Sequence, residues 1–109
     1  MEKDKLKRFY DEEQRLIQYP SKRPLRILAL SAIAEKFDAS RKYSEKEVNG
    51  VIRSSIAFSD VELIRRELFQ YKFMGRLKDG SEYWVEDGWR DFWLSDKLAD
   101  AQQVIELKL

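Results

Sequence analysis

The sequence predicts a mostly helical α+β fold. Three observations carry that expectation: two Ser-x-x-Glu capping boxes, an Asp-Gly turn between two short extended runs, and apolar residues recurring at helical spacing between them. The chain has 109 residues, which is the size of one domain. We expect a single domain with a helical segment over 1–19, a core over 20–85 and an acidic, Trp-rich extension over 86–109.

Each element has its own signal. Before Pro20, Leu6, Phe9, Tyr10, Leu16 and Ile17 fall on one helical stripe, interrupted by Glu13. Such a stripe covers either the rest of the domain or a second copy of itself. Pro24 suits the first turn of a helix running to about Phe37. Ile27, Leu30, Ile33, Ala34 and Phe37 form one apolar face of that helix, and Leu25, Leu28, Ala29 and Ala32 form another. A helix apolar on both sides belongs between other elements.

Tyr43 is placed to form a single-residue β bridge. Ser44 with Glu47 then caps a helix to about Arg53 that buries Val48, Val51 and Ile52, and Gly50 within it suggests close packing against a neighbouring backbone. Ser59 with Glu62 caps another helix to about Lys72 that buries Val61, Ile64, Leu68 and Tyr71. Phe73 to Leu77 and Glu82 to Val85 flank the turn and read as a hairpin. Trp89, Phe92, Trp93, Leu98 and Ala101 suggest a final helix to about Val104, with the last five residues open. The order helix, extended bridge, helix, helix, hairpin is that of a winged helix-turn-helix domain, here with a helical segment added at each end.

Composition narrows the chemistry. There are no Cys and no His, which removes thiol nucleophiles, Ser-His triads and His/Cys zinc sites. Glu86 with Asp87, and Asp96 with Asp100, lack the spacing of a calcium loop. We therefore expect no enzyme, no cofactor and no metal. The lack of cysteine suits a reducing cytoplasm, and no apolar run suggests a membrane segment. The formal net charge is only +1, but the middle of the chain is cationic and the tail acidic.

Several segments taken together resemble a bacterial family, domain-of-unknown-function family 2087. They are Tyr19 to Arg23, Phe37, Tyr43 to Asn49, Asp60, Arg65 to Leu68, Tyr71, and the hairpin from Gly80 to Trp84. The resemblance covers about residues 19–85. It implies a winged-helix-like fold and an association with transcriptional regulation, since the family occurs alone or fused behind helix-turn-helix repressors. It carries no catalytic residues.

Two functions follow as expectations. The first is a transcription-regulator-type module binding duplex DNA. Arg66 points away from the core on the helix capped near Ser59, with Gln70 beside it, and the two would touch bases. Lys22, Arg23, Arg41, Lys42 and Arg76 would touch phosphates. Against this, Glu62 is spaced to pair with Arg66, and the cationic groups also suit a merely solvated face. Arg65 is better placed to tie its helix to a neighbour. The second function is a protein-interaction or homodimerisation module, with Leu63, Phe69, Leu6, Phe9 and Leu16 at the interface. Trp84, Trp89 and Trp93 lie among acidic residues and read as packing groups rather than base-stacking ones.

Overall fold

The computed structural model describes residues 6–94. They form an α+β domain of four helices and a two-stranded antiparallel hairpin: α1 (Arg23–Ala34), α2 (Glu45–Ser55), α3 (Val61–Gln70), β1 (Met74–Arg76), β2 (Tyr83–Val85) and α4 (Trp89–Leu94).

The segment before Pro20 departs from the expected helix. Leu6 and Lys7 are helical, but Arg8 to Tyr19 are not. Gln14 adopts a left-handed φ of 63°, and Asp11 accepts from the amides of Glu13 and Arg15. This local turn folds the chain back, bridging Leu16 antiparallel to Tyr10 and parallel to Ile56. The Leu16 amide donates to the Ser55 carbonyl, and the Ala57 amide donates to that of Leu16, both at 2.8 Å. Leu16 is 0% exposed, so its burial beside the end of α2 outweighs the local helical periodicity.

Pro24 lies in the first turn of α1, whose N-cap, Lys22, makes no side-chain bond there. The helix buries Leu25, Ile27, Ala29, Leu30 and Ile33, giving it the expected central position, although Ala32 faces outward. It stops at Ala34, three residues short of the expected end. Phe37 nevertheless reaches the core, edge-on to Tyr43 at 5.0 Å between ring centres.

The Ser44 capping box forms fully: the Glu47 amide donates to Ser44 Oγ, and the Ser44 amide to Glu47 Oε1. Val48 and Ile52 then point inward and Val51 is half-buried. Gly50 is exposed, and a Cβ added there would meet nothing within 4 Å, so among the described residues the expected close approach is absent. At the next helix the cap is one residue later than expected. Asp60, not Ser59, accepts from the Leu63 amide.

The end of α3 sets the course of the rest. Lys72 takes a left-handed φ of 67°. Its amide donates to the Phe69 carbonyl, and that of Phe73 to the Leu68 carbonyl. This pair of bonds is a Schellman closure with lysine in the position glycine usually takes. It delivers Phe73, fully buried, directly to the hairpin. There Met74 pairs with Val85, Gly75 with Trp84 and Arg76 with Tyr83, and Gly80 takes a φ of 74° at the turn. A Cβ on Gly75 would collide with the Trp84 indole and the Glu86 carboxylate. Tyr43 bridges Tyr83 through two backbone bonds, as its position suggested.

α4 begins where the tail helix was expected. Trp89 is buried against Phe73, and Trp93 stacks on the same ring while its indole N–H donates to the Tyr71 carbonyl. The expected continuation to Val104 and the last five residues lie outside the described residues.

The Lys72 conformation makes a direct prediction. A left-handed non-glycine residue is strained, so Lys72→Gly should raise stability by about 0.5–1 kcal/mol after the extra freedom of the unfolded chain is counted. Urea titrations of the two proteins measure it.

Candidate functional site

The face of α3 opposite its buried residues gathers the groups of interest. Val61, Ile64 and Leu68 face the core. At 100° per residue, Arg66 then points outward, with Glu62, Leu63, Phe69 and Gln70 around it. Arg66 and Gln70 are exposed and Leu63 is half-buried. Among the described residues Arg66 has no ion pair, and the expected pairing with Glu62 does not form.

One flank of this face is tied to α2 and the hairpin. Arg65 is 17% exposed in its side chain; it donates to Asn49 Oδ1 at 2.6 Å and pairs with Glu45. It is the tie to a neighbour that its position suggested. Arg76 holds its guanidinium 4.8 Å from the centre of the Phe69 ring and donates to the carbonyls of Leu77 and Lys78. Phe69 remains 37% exposed beneath that cation.

The other flank is tied to the start of α1. Tyr19 donates its hydroxyl to Glu67 Oε1, and Arg26 approaches the same oxygen at 3.5 Å. The Arg26 guanidinium also covers the Tyr19 ring and donates to the Pro20 carbonyl. Arg23, one turn earlier, lies over the Tyr71 ring with its centre 5.5 Å away, beside the exposed Lys22. Sequence reading missed the Tyr19–Glu67–Arg26 cluster, because 48 positions separate Tyr19 from Glu67 and no spacing rule connects them.

The remaining expected phosphate contacts are already engaged. Arg41 bonds Glu47 at 2.6 Å and sits over Tyr43, and Lys42 pairs with Glu82 at 3.4 Å. Arg41 is thus tied to α2 and Lys42 to the hairpin, and both pairs are exposed enough to exchange with other anions. Two of the expected interface residues are placed otherwise: Leu6 and Leu16 are buried in the domain's own core, with Phe9 packed against it. Leu6, Phe9, Tyr10 and Leu16 therefore cover this domain, whereas Ile17, on the same expected stripe, is 46% exposed.

The family profile described as "Uncharacterized protein conserved in bacteria (DUF2087)" matches residues 15–85. The chain belongs to this family. The matched span begins one residue before Leu16 and ends with β2, so α1, α2, α3 and the hairpin lie within it and α4 lies outside. No curated protein and no solved structure matches the chain. Among the described residues no helix is long and apolar enough to cross a membrane.

Burial, and after it the hydrogen bond to Glu67, pushes the Tyr19 hydroxyl well above the ordinary tyrosine value of 10.0. The folded state therefore keeps a proton that the unfolded chain releases. The stability linked to it is complete below pH 10.0 and is lost as the pH rises above that value. Tyr19→Phe should flatten this alkaline loss, and it should cost about 1–2 kcal/mol at neutral pH by leaving Glu67 without its hydroxyl donor. Denaturant midpoints measured across the alkaline range test both statements.

Proposed function

We propose that this domain is a winged-helix module of the transcription-regulator type that binds duplex DNA, with α3 entering the major groove and the hairpin serving as the wing. The element order supports the reading. Three helices lead into a hairpin, and the single-residue Tyr43–Tyr83 bridge falls where such a fold would have its short third strand.

The observation that carries the proposal is the state of Arg66 and Gln70. They lie one turn apart on the outward face of α3, both exposed, with Arg66 free of ion pairs among the described residues. An arginine fork matches guanine O6 and N7, and a glutamine amide matches adenine N6 and N7. Lys22 and Arg23 at one flank and Arg76 at the other are cations suited to the bordering phosphates. Arg41 and Lys42 join them only by exchanging Glu47 and Glu82 for phosphate. With neither His nor Cys in the chain, the role we assign is binding rather than catalysis.

The competing reading is a protein-binding or dimerising face, and Phe69 with Leu63 is what favours it. Anisotropy of a labelled mixed-sequence duplex separates the two. Under the DNA reading, binding appears at about 50 mM salt and weakens at about 200 mM, with log affinity falling by about 0.9 per phosphate contact per decade of salt. Arg66→Ala should weaken binding at a site it contacts by about 5–150-fold, the equivalent of about 1–3 kcal/mol. No binding at the lower salt would overturn the DNA reading and leave the face to a protein partner.

A further inference from the structure

We propose that the apolar part of the α3 outward face reads thymine methyl groups, so that the preferred duplex is rich in A·T pairs at the centre of the contact. This inference rests on the DNA reading above and adds the chemistry of the base it favours. Leu63 and Phe69 each lie three residues from Arg66, on its two sides. Half-buried Leu63 and 37% exposed Phe69 therefore border the same stripe that carries the two polar readers.

Apolar side chains gain nothing by facing phosphates, and the apolar group that the major groove offers them is the C5-methyl of thymine. In an A·T pair that methyl shares the groove with the adenine N6 and N7 edge. With Gln70 on such an edge and Arg66 one turn before it, Leu63 and Phe69, which flank Arg66, meet the methyls of adjacent pairs. The Arg76 guanidinium over the Phe69 ring gives the apolar patch a cationic border, which complements the phosphates beside such a step. The two residues that argue most strongly against simple phosphate binding thus acquire a place in it.

The test compares alternating dA-dT and dA-dU duplexes, which present the same donors and acceptors and differ only in the methyl. The wild-type protein should bind the dA-dT duplex about fourfold tighter for each methyl it buries. Phe69→Gln and Leu63→Gln, each checked for folding by its thermal transition, should bring that ratio towards one while retaining binding to the dA-dU duplex. If Leu63→Gln fails to fold, Phe69→Gln alone carries the test. Arg66→Ala should weaken both duplexes alike. Equal wild-type affinities for the two duplexes would overturn the methyl reading and leave DNA binding standing. A preference that persists in the apolar variants would also overturn it, by assigning the difference to duplex shape. Failure to bind either of these or a mixed-sequence duplex at low salt would remove the DNA reading and this inference together.

Discussion

Phe73 is the residue through which α3, the hairpin and α4 are held in one arrangement. Its amide closes the end of α3 on the Leu68 carbonyl, and its own carbonyl accepts from Glu86 just beyond β2. Its fully buried ring meets Trp89 on one side and Trp93 on another. Because Phe73 follows the left-handed Lys72 immediately, the backbone strain at that lysine and the burial of the phenyl ring are parts of one turn. The direction in which the hairpin leaves α3 follows from it, and so does the position of Arg76 over Phe69. The binding face proposed for α3 and the hairpin needs such a fixed angle, since both parts would have to meet the same ligand.

The charges around that face divide by what they already hold. Arg65 and Arg26 are partly buried and serve the protein itself, joining α3 to α2 and to the start of α1 through Asn49, Glu45 and Glu67. Breaking either contact would strand an acid or an amide in a half-buried place. Arg66, Lys22 and Arg23 stand outward, and Arg41 and Lys42 hold acids at the surface, where an ion pair contributes little and exchanges easily. The formal net charge of +1 conceals this division, because much of the acid is in the tail or already paired.

Much of this was legible where the physics is local. Ser44 and Glu47 close a capping box within four residues, and Gly80 marks its own turn. The outward direction of Arg66 and Gln70 follows from helical periodicity alone. Distant contacts were not legible. Leu16 abandons a helical pattern because its backbone finds partners at Ser55 and Ala57, far along the chain. Asp60 displaces Ser59 as the cap by offering the Leu63 amide a carboxylate oxygen. Lys72 gives no sign of a left-handed conformation, which a glycine there would have announced. Tyr19, Arg26 and Glu67 form a cluster only once α1 lies beside the end of α3.

The central claim is that the outward face of α3, with the hairpin beside it, is the surface that meets a duplex. Mapping amide shifts of the isotopically labelled protein as a mixed-sequence duplex is added at low salt tests it most directly. The account predicts shifts concentrated in Val61 to Gln70, along Gly75 to Lys78 and at Lys22 and Arg23, with Tyr10 to Leu16 unmoved. Shifts centred on the Tyr10 to Leu16 segment and the outer side of α1, or none at any ratio of duplex to protein, would contradict it.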